Sequence, residues 1–202
     1  MRKLIVAEHI SLDGVVQGPG GPQEDTSDGF ALGGWTVPFA SDSADAAVMQ
    51  LHEQPFELLL GRRTYDIWAD YWPNVPAGNA IADAFNGTTK HVATHRPDSL
   101  EWGGSKALEG PLEGAVERLK ATEGADLLTW GSSDLVRQLL KFGLVDTLAL
   151  FVYPVILGGG KRLFGEQSIP STFEVAQSET SKTGVQVLRL IRSGEVRTGS
   201  FT

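Results

Sequence analysis

Apolar residues along this chain come in short unbroken runs that alternate with stripes at helical spacing. Leu4, Ile5, Val6 and Ala7 form a run suited to a central strand, and the turn signal Ser11-Leu12-Asp13-Gly14 follows it. Leu58, Leu59 and Leu60, bounded by Glu57 and Gly61, do not alternate, as a strand covered on both faces requires. Gly61 ends that run, and Tyr65, Trp68 and Ala69 resume on one side of a helix, so strand turns directly into helix. Residues 91–94 and 126–130 read as further strands. Helices follow from Val48, Met49 and Leu51 behind the capping residues of 41–45, from Leu112, Val116 and Leu119, and from Leu135, Val136, Leu139 and Leu140, with Gly143 as a stop. A weaker helix fits 79–85, after Pro73 and Pro76 break the one before it. Beyond Val145 the pattern loses its helices: 148–152 is a strand, and 173–176 and 185–191 flank a polar turn with Gly184, as in an antiparallel hairpin. The expected class is α/β, with a mostly parallel sheet and an antiparallel edge.

Length and composition narrow this without changing it. The 202 residues suit one domain over 1–202, and no apolar run approaches the roughly 18 residues of a membrane span. The net charge of −8 argues against a nucleic-acid partner but leaves room for a local basic pocket. With no cysteine, disulfides, thiolate metal sites and cysteine nucleophiles are excluded. The N-terminal run reaches Glu8 too soon for a signal-peptide core, which predicts a cytoplasmic protein.

Three places stand at the C-terminal ends of predicted strands, where α/β sheets bind ligands: Gly61, Arg62, Arg63 and Thr64; Thr94, His95 and Arg96; and Gly131, Ser132, Ser133, Asp134 and Leu135. The first and last are strand-to-helix turns, whose free amides and dipole favour an anion. Together they could hold a long phosphorylated ligand. Residues 158–161 fit neither the phosphate-binding loop nor the dinucleotide fingerprint, and 131–133 lack the second glycine of a nucleophile elbow. No carboxylate cluster accompanies His91 and His95, so no metal is expected. Residues 17–34, rich in Gly, Pro and Asp, are long enough for a functional loop, with flexible spacer as the alternative.

Ser-Leu-Asp-Gly-Val-Val near the N-terminus, Gly-Arg-Arg-Thr-Tyr, Trp-Gly-Ser-Ser-Asp-Leu, and Tyr-Pro-Val-Ile-Leu-Gly-Gly-Gly-Lys-Arg-Leu-Phe occur in this order over nearly the whole chain. In these the sequence resembles the dihydrofolate reductase superfamily, and within it the C-terminal reductase domain of the bifunctional riboflavin-biosynthesis protein. The resemblance implies a three-layer α/β/α fold and NADPH as cofactor. By the same match Gly61, Arg62, Arg63 and Thr64 hold the pyrophosphate and the adenosine 2′-phosphate, Thr94, His95 and Arg96 flank the adenosine end, and residues 131–135 cover the pyrophosphate and nicotinamide side. The implied reaction is hydride transfer to a C=N or C=O carbon of a small pterin- or ribosyl-pyrimidine-like heterocycle, with a non-catalytic NADP(H)-binding protein of the same fold as the alternative. The acid that supplies the proton is Asp42 or Asp45 by position, or Asp13; the first two are also helix-cap residues, and Asp13 is also a turn residue. Trp35, Phe151 and Tyr153 are assigned to the substrate, and Phe151, standing where folate reductases have a small hydroxylic residue, disfavours folate. A homodimer is expected from the resemblance and from apolar residues on a late sheet edge. Arg62, Arg63 and Arg96 are expected to carry a preference for NADPH over NADH.

Overall fold

The first apolar run becomes the middle of the sheet. In the structure, a computed structural model that describes residues 1–165 and 168–201, strand β1 (Leu4–Ser11) lies between two parallel neighbours, β5 (Asp126–Trp130) and β6 (Thr147–Tyr153). The register pairs Leu4 with Leu127 on one side and Ile5 with Thr147 on the other. Outward from β5 come β2 (Phe56–Gly61), β3 (Lys90–Ala93) and the short β4 (Ser105–Ala107), all parallel. On the other side β8 (Gln186–Gly194) joins β6 antiparallel and carries the edge strand β7 (Thr172–Thr180). The spatial order is therefore β4-β3-β2-β5-β1-β6-β8-β7, a mostly parallel sheet ending in an antiparallel hairpin, as the sequence pattern predicts.

Because side chains alternate along a strand, the central strands feed two cores. Ala7, Leu58, Leu60, Leu128, Trp130 and Phe151 face one, closed by α1 (Asp42–Gln50), α2 (Arg62–Tyr71) and α3 (Ala80–Gly87) through Ala47, Tyr65 and Phe85. Leu4, Val6, Leu59, Leu127 and Leu148 face the other, closed by α4 (Leu112–Ala121) and α5 (Ser133–Lys141) through Val116, Leu135, Val136 and Leu139. Leu58, Leu59 and Leu60 are all fully buried, which is why that run carries no polar alternation.

The long loop after β1 is built rather than loose. Gln17 donates through Nε2 to the carbonyls of Asp25 and Ser27 at 3.1 and 3.0 Å, accepts from the Lys161 amide, and its own carbonyl takes the Trp35 Nε1–H at 2.8 Å. Phe30 and Trp35 are buried beneath it. Gly160 lies so close that a Cβ there would sit 2.7 Å from Val15 Cγ1, so the glycine-rich segment serves this packing.

Candidate active site

A cavity of about 940 Å³ opens above the C-terminal ends of the central strands, bounded on one side by the long loop. That volume is at the upper end of the roughly 300–1,000 Å³ usual for ligand sites. Its wall divides into a polar half and an aromatic half.

The polar half is made by helix starts left unfinished. α2 begins directly after Gly61 and α5 directly after Ser132, and neither has a side chain accepting from its first amides. α4, which begins after Pro111 in the same wall, has none either. By contrast α1 and α3, whose cap residues Ser41 and Asn79 stand outside the wall, are each capped by a side-chain oxygen, at 3.3 and 3.0 Å. The Ser132 hydroxyl is diverted: it accepts from the Gly61 amide at 2.9 Å and so ties the two helix starts together. This requires Gly131 and Ser132 both to adopt positive φ, 61° each, which is unusual for serine. It also requires Gly61 to be glycine, since a Cβ there would lie 3.1 Å from Ser132 Cβ and Oγ.

Cations surround these amides in unequal states. Arg62 is only 19% exposed, donating to Asp66, to the Arg96 carbonyl and to Ser99, so it organises the segment after β3. Arg63 and Arg96 are 59% and 64% exposed, each with a single carboxylate contact at 3.1 Å, to Asp25 and Asp66 respectively. Lys161 pairs with the other oxygen of Asp25 at 2.6 Å. At the floor lies Glu8, 2% exposed, whose Oε1 is buried with no hydrogen-bond partner among the described residues. Burial pushes its carboxyl well above the usual carboxylate range, against a smaller opposing effect of the Gly131 amide.

The aromatic half is a relay of rings. His9 lies 5.3 Å from Trp130, Trp130 stacks 5.9 Å from His52, His52 lies 5.2 Å from Phe85, and Phe85 stacks 4.8 Å from Trp68 and meets Trp72 edge-on at 5.1 Å. All of these line the cavity. Burial lowers the His9 pKa to about 4 and lowers that of His52 as well, so both rings are neutral at neutral pH. His9 Nδ1 is 2.9 Å from the Tyr153 hydroxyl, whose pKa is pushed up to about 12 by burial and by Asp45.

The three stretches singled out at the strand ends all reach this one wall. The acids and the substrate residues do not. Asp13 accepts from Ser11 Oγ at 2.7 Å and from the Leu157 and Gly158 amides at 3.1 and 2.9 Å; the Ser11 bond leads in holding its pKa near 2, and it pins a turn outside the cavity. Asp42 and Asp45 lie in the first turn of α1, and neither belongs to the wall. Trp35, Phe151 and Tyr153 are buried behind it, Tyr153 reaching it through His9. Sequence reading missed Glu8 and His9. The available signal was a charged and a titratable residue at the end of an apolar strand run, a place where burial makes such groups costly. Among the described residues no cluster of His and carboxylates could hold a metal, and no helix is long and apolar enough to cross a membrane.

Comparison with known proteins agrees with this geometry. The model of the RibD C-terminal domain matches residues 2–187, so the chain belongs to that reductase-like family. It is 24% identical over 187 residues to YyaP of Bacillus subtilis (strain 168), an uncharacterized protein, covering 91% of this chain and 92% of that one. It is 25% identical over 165 residues to YwjB of the same organism, also uncharacterized, covering 82% and 84%. Among solved structures, a putative riboflavin biosynthesis protein from Shewanella sp. PV-4 superposes with a TM-score of 0.64 at 21% identity, covering 96% of this chain and 99% of that one. A pyrimidine reductase-like protein from Corynebacterium diphtheriae gives 0.64 at 15% identity, covering 96% and 93%. Both share the fold.

Proposed function

We infer that the protein is an NADPH-dependent reductase acting on a C=N or C=O carbon of a small heterocyclic substrate. The observation that carries this reading is the pair of uncapped helix starts, α2 and α5, joined through Gly61 and Ser132 under a rim of arginines. Free amides at two converging helix N-termini favour a diphosphate. Arg63 and Arg96, the open cations, would take the 2′-phosphate, while Arg62 holds the loop that presents Arg96. Thr64, Thr94, His95, Ser133, Asp134 and Leu135 complete the proposed cofactor wall. When bound there, NADPH supplies the hydride; the protein binds it, orients it and keeps water from the aromatic half. Membership of a reductase-like family, and relatives named for riboflavin biosynthesis and pyrimidine reduction, support the same class. We place the enzyme in the cytoplasm, as a homodimer across the hairpin edge, where Val175 and Ile191 are exposed.

Titrating NADPH and NADH by quenching of the tryptophans tests this directly. The expected result is saturable NADPH binding at least tenfold tighter than NADH, about 1.4 kcal/mol. Equal affinities would remove the role of the arginines, and no binding of either would overturn the reading. A second reading, an NADP(H)-binding protein without turnover, is favoured by the position of Asp13, Asp42 and Asp45 outside the wall. NADPH binding with no oxidation across a broad panel of carbonyl and imine acceptors would select it.

A further inference from the structure

Glu8 and His9 are adjacent on β1 and therefore project to opposite faces of the sheet, so this strand contributes one titratable group to each half of the cavity. On His9 the hydrogen-bonding state can be deduced. The Tyr153 hydroxyl, 2.9 Å from Nδ1, has no other partner among the described residues, so its proton is satisfied only by donation to the Nδ1 lone pair. A neutral ring whose Nδ1 accepts carries its hydrogen on Nε2. Nε2 makes no hydrogen bond among the described residues, and His9 is part of the cavity wall. The aromatic half thus holds an oriented N–H donor at His9, while His52 Nδ1 and Trp72 Nε1, unpartnered among the described residues, are buried within its ring wall.

That half carries no charge. The cations of the wall, Arg62, Arg63, Arg96 and Lys161, belong to the polar half, where they share Asp25 and Asp66. A phosphate or carboxylate placed between Trp130, Phe85 and Trp68 would meet no counter-charge, and burying an unpaired charge is strongly unfavourable. A conjugated ring would instead find faces to stack on.

We propose that the aromatic half takes a flat, uncharged, conjugated carbonyl or imine compound, and that His9 hydrogen-bonds its heteroatom through Nε2. This rests on the reductase reading. When the carbon of such a double bond receives a hydride, its π pair moves to the heteroatom. The heteroatom takes the Nε2 proton as Nδ1 takes the Tyr153 hydroxyl proton; water in the cavity then reprotonates Nε2 and Nδ1 returns its proton to the tyrosinate, which restores the starting tautomer. His9 is then a catalytic residue and Tyr153 a positioning residue that selects the tautomer.

Isatin, a flat neutral ketone, and isatin-5-sulfonate, the same ring with one negative charge, provide the test. The expected result is that unmodified protein reduces isatin with a KM at least about tenfold below that of the sulfonate. His9→Phe should lower kcat for isatin about a hundredfold, the scale of a lost proton donor, with NADPH affinity by tryptophan quenching within twofold of the unmodified protein. Nitrogen-15 NMR of the unmodified protein at pH 7 should show His9 with hydrogen on Nε2, and Tyr153→Phe should shift it to a mixture of tautomers. The sulfonate serving as well as isatin would overturn the substrate class, and so would failure of isatin to bind or react. An unchanged kcat in His9→Phe, or hydrogen on Nδ1 in the unmodified protein, would overturn the role of His9. The tautomer measurement needs neither a variant nor turnover, so it stands even if His9→Phe does not fold. Failure of NADPH to bind would overturn the reductase reading and leave the tautomer result intact.

Discussion

The two halves of the cavity are built by opposite means. The polar half is made of backbone: amides at helix starts, two consecutive residues at positive φ, and a glycine under a serine hydroxyl. The aromatic half is made of side chains, rings from β1, β5, α2, α3 and the turns that follow α1 and α2. Backbone sites depend on a few residues that permit the geometry and present the same donors whatever else changes. A wall of side chains is remade by any substitution in it. Under the proposed function, the pair of designs would let one half keep a common cofactor while the other diverges in what it accepts.

The hardest blow to the polar half is Gly61→Val. Its Cβ would start 3.1 Å from Ser132 and 3.5 Å from Leu135, before the two methyl groups are added. Overpacking of this kind costs about 1–3 kcal/mol and would push the two helix starts apart. The expected outcome is loss of measurable NADPH quenching together with a lower melting temperature, whereas a variant binding NADPH normally would show that the joined helix starts are not the site.

Acid should strike the aromatic half. The folded state holds His9 near pKa 4 against 6.5 in model peptides, so the folded protein binds this proton less readily than the unfolded chain. The corresponding stability is fully present above pH 6.5 and is lost as pH falls through 4; the shift corresponds to at most about 3 kcal/mol. Denaturant unfolding at pH 7 and pH 4.5 should therefore show a smaller acid loss in His9→Phe than in the unmodified protein. Equal losses in the two would mean that His9 is not buried neutral.

Arg96→Ala and Arg63→Ala sharpen the contrast within the polar half. Each should weaken NADPH about tenfold and leave NADH within twofold, since only the 2′-phosphate distinguishes the cofactors. Arg62→Ala should behave differently, lowering the melting temperature and weakening both cofactors, because its guanidinium holds the segment from Arg96 to Ser99. A selective NADPH defect in Arg62→Ala alone would reverse this assignment. The smallest effect is expected from Trp68→Ala, which removes a ring stacked on Phe85. It should raise the KM for isatin about fivefold, roughly 1 kcal/mol, without altering NADPH affinity; a changed NADPH affinity would mean the two halves are not separate.

Much of this fold is written in local patterns. The unbroken leucines of β2, the alternation of β8 and the stripe of α5 each place an element correctly, because burial on one or two faces leaves a periodic trace. β4 leaves none: Ser105, Lys106 and Ala107 hold their place by pairing with β3 and by the Ser105 bonds to the carbonyl of the buried Trp102. The strand-end turns of the cavity wall were readable because backbone sites need glycine at set places. The aromatic half was not, since Val48 and His52, Trp68, Phe85 and Trp130 come from four separate segments and each reads alone as ordinary core. His9 and Glu8 were passed over for a related reason: a strand's apolar run hides which residues at its end face a cavity. Asp13 and Asp45 drew attention by type and position, but an aspartate in a turn or a first helical turn most often serves the backbone, and Asp13 does so here.

The central place of β1 has a consequence for how the molecule is made. Its sheet partners begin at Asp126 and Thr147, so β1, ahead of every other strand of the sheet in chain order, is flanked on both sides only once β6 has been made. Until β5 has been made Leu4, Ile5, Val6 and Ala7 have neither neighbour, an apolar segment awaiting contacts of very long sequence separation. Parallel pairings of this kind carry a large loop-closure entropy before any reward and fold slowly. For this chain the dangerous interval is synthesis itself, when β1 is exposed to other strand edges in the cell.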